Sequence, residues 1–273
     1  MTITFNDIPS NLRIPGIFVE FDPSRANSGT FVQKLLVLGQ RLNTGAVLHG
    51  DPMPATNIAQ AESFWGRGAM ITQMLNYIFK ARPTMQVWGI GLDDLVAGVV
   101  ATGQATFTGS ASTSGTMIVD CGGELVKAGI ASGDSQSVIA SAVVAAITAQ
   151  TDFPITAVVN GGATNQVDIS ARHKGEYANA LPIKIYFDTT VQPTAPAIAV
   201  TQLSGGTGNP DVTDAITSMG DDWYNWIVMP WTDNTNLTAL ETELTSRYSP
   251  LRQIGARAFC ALRGTYGQSQ AFG

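Results

Sequence analysis

The feature that most constrains this chain is a pair of short apolar runs separated by helical periodicity. Lys34-Leu35-Leu36-Val37-Leu38-Gly39 is continuously apolar, too short for a buried helix, and ends in glycine. Such a run is what a strand covered on both faces requires. Residues 56–66 carry helix-start residues around a short helix, and 68–80 has helical spacing, with Met70, Met74, Tyr77 and Ile78 on one face. Pro83 closes that helix, and 85–90 (Met85-Gln86-Val87-Trp88-Gly89-Ile90) is the next apolar run. Two parallel strands joined through helices demand a right-handed crossover. The opening expectation is therefore an α/β fold with a mostly parallel sheet and helices on its faces.

The pattern changes near Ala101. Residues 101–208 are rich in Thr, Ser, Gly, Ala and Val, in strand-length pieces between turn signals. Strands are predicted over 104–108, 116–119, 124–128, 155–159, 166–171, 182–187 and 198–203. One helix is predicted over 134–148, with Asp134 as N-cap and Ala142, Val143, Ala146 and Ile147 in its face. The turns Gly122-Gly123, Asn160-Gly161-Gly162 and Gly205-Gly206 punctuate the region.

At Asn209-Pro210 the α/β character returns. Helices are predicted over 211–219, capped by Gly220, and over 236–248, stopped by Pro250; strands over 224–229 and 257–262. The simplest architecture is a discontinuous α/β core, 26–100 plus 209–273, interrupted by an inserted β-rich (α+β) domain, 101–208. Residues 1–25 are predicted extended, since Pro9 and Pro15 forbid a helix and Ile14, Ile17, Val19 and Phe21 alternate imperfectly. That stretch reads equally as an arm that pairs with a sheet edge or as a frayed terminus. The chain stops just after a strand, where a doubly wound sheet would continue, so a longer protein is expected.

The length of 273 residues is enough for a large core without disulfides or metals. Charged residues make up only 13%, against about 25% in ordinary proteins. The surface is then either polar and uncharged or covered by partners. Net charge is -6, spread as 0 over 1–100 and -3 over each of 101–208 and 209–273. No basic face is available to release counterions from nucleic acid or to meet an anionic membrane, so neither partner is expected. No basic-plus-apolar leader opens the chain, and the most apolar helical stretch, 138–147, is too short to span a bilayer.

The chemistry-bearing residues are sparse. Cys121 and Cys260 lie outside any Cys-x-x-Cys motif or Cys/His cluster and read as small buried hydrophobes. The histidines, His49 and His173, have no zinc-ligand spacing, and His173 reads as an exposed turn residue among charges. No GxSxG elbow or Walker A loop is present. Gly89-Ile90-Gly91 is followed by Asp93-Asp94, which would repel a pyrophosphate. The run Gly205-Gly206-Thr207-Gly208 reads as a flexible domain junction, and Asp221-Asp222 as solvated acids. Tyr224, Trp226 and Val228 alternate as one core face, with Trp223 and Asn225 opposite. No metal and no cofactor is expected.

Taken in order along the chain, several segments resemble the Mu-like contractile tail sheath family. They are the opening Ile3-Thr4-Phe5-Asn6-Asp7-Ile8-Pro9-Ser10-Asn11-Leu12-Arg13-Ile14-Pro15-Gly16, Glu20 with the Asp22-Pro23-Ser24-Arg25-Ala26 turn, Leu36-Val37-Leu38-Gly39-Gln40, Gly66-Arg67-Gly68-Ala69-Met70, Val87-Trp88-Gly89-Ile90, Ser204-Gly205-Gly206-Thr207-Gly208-Asn209-Pro210-Asp211, the stretch 223–230, Thr232-Asp233-Asn234-Thr235-Asn236-Leu237, and Ala258-Phe259-Cys260-Ala261-Leu262-Arg263-Gly264-Thr265. The resemblance implies a non-enzymatic subunit of the virion tail, assembled in the bacterial host cytoplasm. Copies would stack as hexameric rings around a tail tube and contract to drive it through the host envelope. It also implies an N-terminal arm, with Ile3, Phe5, Ile8, Ile14, Ile17 and Val19 pairing with a neighbouring copy. Tube and baseplate contacts would come from a C-terminal region beyond this chain. Two other readings stay open: a hydrolase on the α/β core using His173, and an adhesin or binding module on 101–208.

Overall fold

A computed structural model describes residues 33–189, 193, 195–262, 267 and 270. The expected arm, with Ile3, Phe5, Ile8, Ile14, Ile17 and Val19, lies outside them. Among the described residues the fold is mixed α/β, with five α-helices and three sheets.

The first sheet takes β1 (Lys34–Gln40), β2 (Pro52–Ala55) and β3 (Gln86–Leu92) from one stretch of chain, and β11 (Trp226–Val228) and β12 (Arg257–Phe259) from another. Its order is β12-β11-β1-β3-β2, parallel throughout except for the antiparallel edge strand β2. The apolar run of β1 alternates between two cores. Leu36 and Leu38 join Ile90, Leu92, Ile227 and residues of α4 (Thr213–Met219) and α5 (Asn234–Tyr248). Leu35 and Val37 face the opposite way, onto α1 (Ile58–Trp65) and α2 (Met70–Ala81) through Ala61, Trp65, Ile71 and Leu75. That second face carries glycines because the helices come too close for anything larger. A Cβ on Gly39 would stand 2.9 Å from the Ile71 Cα, and one on Gly91 would stand 2.4 Å from the Trp65 ring.

Residues 100–204 supply the other two sheets, both antiparallel. One has the order β10-β4-β8-β7 and the other β6-β5-β9. The strands are β4 (Val100–Thr108), β5 (Gly115–Cys121), β6 (Glu124–Ile130), β7 (Ile155–Val159), β8 (Gln166–Lys174), β9 (Ile183–Phe187) and β10 (Ala197–Ser204), with α3 (Gln136–Ala149) packed against β4, β6 and β7. Their shared core is centred on Phe107, Met117, Val119, Ile139, Val143, Phe153, Ile169 and Phe187. The sheets are joined where the Gln202 amide mimics a strand: the Ile183 N–H donates to Gln202 Oε1 (2.8 Å) and Gln202 Nε2 donates to the Ile183 carbonyl (2.9 Å).

Several local expectations need correcting. In α2 the buried stripe is Ile71 and Leu75, with Met70; Met74 and Ile78 are half-buried, and Tyr77 is 53% exposed. Two apolar stripes of equal spacing overlap there, and periodicity alone does not choose between them. The N-cap position of α3 is Ser135, not Asp134, whose carboxylate instead accepts the Ala131 N–H at 2.7 Å. On β11 the strand is covered on both faces: Tyr224, Ile227, Met229 and Trp231 belong to one core, while Trp226 and Val228 pack on the other. Strand β2 has no signal in the sequence because its two prolines argue against a strand, yet an edge position tolerates them. The glycine junction is pinned. Gly206 exchanges two hydrogen bonds with the Asn179 amide, each 2.8 Å, and Val99 exchanges backbone bonds with Thr207.

Candidate functional site

The residues with chemical potential gather at the ends of β1, β3 and β8. Asp94, just past β3, is the hub. Its Oδ1 accepts from Gln40 Nε2 (2.8 Å) and from His173 Nδ1 (2.9 Å), and its Oδ2 accepts the Lys174 N–H (3.0 Å). His173 is not an exposed turn residue; it is buried near the end of β8. Its Nε2 accepts the Met70 N–H at 3.1 Å. An amide can only donate, so the ring proton sits on Nδ1 and points at Asp94. The His-Asp pair thus has the look of a catalytic dyad, but the nitrogen that would take a nucleophile's proton is held by backbone. This geometry argues against the hydrolase reading through His173.

His49 is held in a similar way. Its Nδ1 accepts the Asp93 N–H (2.9 Å) and its Nε2 pairs with Asp214 Oδ2 (2.9 Å). Both ring nitrogens serve to tie the β1–β2 loop to the end of β3 and to α4. Asp93 also pairs with Arg41 at 2.7 Å. Among the described residues no cluster of His, Cys, Asp and Glu is arranged to hold a metal. Asp221, solvated on the sequence reading, pairs with Arg252 at 2.9 Å.

Beside this hub lies a cavity of about 460 Å³. It opens at the carboxyl ends of β11 and β12, a usual place for binding in open α/β sheets. Met70, Met74 and Tyr77 form one wall, Leu181 and Cys121 another, and Val228, Met229, Phe259 and Cys260 a third. Its polar groups are already engaged. The Tyr77 hydroxyl donates to Glu124 at 2.5 Å, which with burial pushes its pKa up to about 12. Burial, reinforced by Asp120, pushes the Cys121 thiol up to about 12, so it is no ready nucleophile. Cys260 is exposed rather than buried, although partial desolvation still raises its thiol. The cavity is lined mainly by apolar side chains.

Asp94 and Gln40 are the members of this hydrogen-bonded hub that sequence reasoning misses. Locally, Asp93-Asp94 signals only a deterrent to a pyrophosphate, and nothing near Gln40 marks it as a buried partner. The arm residues Ile3, Phe5, Ile8, Ile14, Ile17 and Val19 are not among those described.

Residues 205–273 match the family described as phage tail sheath protein central domain. Over its whole length the chain is 35% identical, across 275 aligned residues, to the Mu-like prophage FluMu tail sheath protein of Haemophilus influenzae. By sequence, this chain is similar to phage tail sheath proteins. It spans 56% of the Haemophilus sheath protein's length. Two solved sheath tail proteins also align with it. Lin1278 of Listeria innocua does so at 15% identity and a TM-score of 0.34, over 83% of this chain and 47% of that one. DSY3957 of Desulfitobacterium hafniense does so at 12% and 0.33, over 89% and 52%. The likeness to the Haemophilus sheath protein covers the whole chain, the β-rich region as well as the parallel sheet.

Proposed function

We propose that this chain is a structural subunit of a contractile phage tail sheath, polymerising around the tail tube and contracting to drive it through the host envelope. The observation that carries the reading is the 35% identity to a Mu-like prophage sheath protein along the entire chain. It acts without catalysis, as a component of the virion tail assembled in the host cytoplasm. Its main partners are copies of itself, in hexameric rings stacked as a helix. Contacts with tube and baseplate belong to the portion of a sheath protein that this chain does not span.

In this reading the chain has three regions: an N-terminal arm over 1–25, a discontinuous α/β core over 26–100 and 209–273, and an inserted β-rich domain over 101–208. Support for the insertion comes from hydrophobic clusters that divide along those lines, one drawn only from residues 101–203 and two drawn only from residues outside 101–208. The arm acts through Ile3, Phe5, Ile8, Ile14, Ile17 and Val19 by adding a strand to a neighbour. Main-chain pairing suits a contracting assembly, because it holds two subunits together without fixing a side-chain interface. A surface poor in charge suits a lattice too, since few ions must be desolvated on assembly.

Deleting residues 1–20 from the whole sheath gene product tests the arm. The shortened protein is expected to fold and to lose polymerisation, read by sedimentation and negative-stain microscopy. Sheaths of normal length from the shortened protein would contradict the arm's role.

A further inference from the structure

The β-rich region is joined to the parallel-sheet region by only two covalent crossings, after β3 and after β10. They lie side by side, since Val99 pairs with Thr207 in an isolated antiparallel bridge. Two adjacent crossings by themselves make a one-line hinge. The inserted stretch of chain is nonetheless tied down elsewhere.

The first tie is the Asp94 carboxylate. It takes hydrogen bonds from the last residue of β1, Gln40, and from the last two of β8, His173 and Lys174. Gln40 is fully buried, and its Nε2 also donates to the Lys174 carbonyl at 2.7 Å. Through the His173 ring the tie continues to the first residue of α2, Met70. The second tie runs along α2. Just before it, Arg67 forms a two-pronged pair with Asp152 (2.8 and 2.9 Å). Gln73 Nε2 donates to the Asp152 carbonyl at 2.7 Å, and Tyr77 donates to Glu124. Met70 and Tyr77 stand about 10 Å apart along the helix at 1.5 Å per residue. Fixed points spread over that length resist rotation about the crossing line in a way that the crossings alone do not.

We infer that Asp94 and the 67–77 segment form a lock that holds the β-rich and parallel-sheet regions together as a single rigid body, so that any displacement of the core in a sheath is delivered undamped to the β-rich surface. This rests on the reading of 101–208 as an inserted unit. At Gln40 and His173 the network is buried, and buried polar bonds suit the role because they are directional and leave unsatisfied groups if the two regions turn; the Arg67–Asp152 and Tyr77–Glu124 bonds lie at the surface. An apolar contact would allow sliding.

The test uses the whole chain in a Cys260→Ser background, with spin labels on Ser141→Cys in α3 and Glu241→Cys in α5, both exposed positions. The parent is expected to give one narrow distance. The variant Asp94→Ala/Asp152→Ala/Tyr77→Phe should broaden that distance, while hydrogen exchange shows both β1–β3 and β5–β8 still protected. An unchanged distance with both cores protected overturns the lock. If the two cores of the folded variant lose protection together on titration with denaturant, that would instead overturn the inserted-unit reading, and the lock with it. Should that variant fail to fold, Arg67→Ala/Gln73→Ala/Tyr77→Phe leaves the buried His173 contacts in place. It is expected to broaden the distance less, and no broadening there overturns the lock.

Discussion

The parallel-sheet region and the β-rich region solve burial differently. Strand β1 has six of its seven residues buried, because helices cover both faces of its sheet. Strand β8 alternates buried and half-buried residues along all nine positions. The first pattern hides the strand and leaves only helix backs, loops and edges for contact. The second leaves the other side of β8 half-buried, with Gln166, Asp168, Ser170, Arg172 and Lys174. The two regions draw on different hydrophobic clusters, one within residues 101–203 and two outside it.

The sharpest way to break that comparison is to empty one core at a time. Phe107→Ala in β4 and Leu36→Ala in β1 each remove a fully buried side chain. Losses of about 3–5 and about 2–5 kcal/mol are expected. Hydrogen exchange should rise in β4–β10 for the first and in the parallel sheet for the second. If each substitution loosens both regions equally, the cores are not separable. A smaller effect is expected from Gly39→Ala, which sets a methyl against the backbone of α2. Overpacking there should cost about 1–3 kcal/mol, read by thermal or denaturant unfolding. Glycines in the β-rich region such as Gly129, with nothing within 4 Å of a built Cβ, should accept alanine with little change. An equal loss at both sites would mean that the helix-to-sheet approach in the first region is not tight. The gentlest probe is alkylation. At pH 8 the exposed Cys260, at the end of the parallel sheet, should react in the native protein, while Cys121, buried in β5 with its thiol pushed to about 12, reacts only on unfolding. Mass spectrometry of the labelled peptides reads this directly, and equal labelling of both would contradict the burial of β5.

What is legible in the sequence follows from the same contrast. The continuous run at 34–39 and the turn-bounded strand at 155–159 can be read nearly to the residue, because each is fixed by local sequence. The stop of α4 is legible because Gly220 takes a positive φ, which glycine adopts without strain. What escapes is set by tertiary placement. The buried stripe of α2 depends on where the sheet lies, not on the helix's own spacing. His173 looks exposed in the sequence because Arg172 and Lys174 flank it, and its partner Asp94 lies 79 residues away. A hub made of one residue each from a strand end, a loop and another strand leaves no local pattern.

Immunogold electron microscopy tests the central claim most directly. Antiserum to this chain would be applied to a lysate of cells that carry its gene, after phage induction. The sheath assignment predicts regular labelling along the outside of contractile tails. Tails that are present in the lysate but carry no label would contradict it.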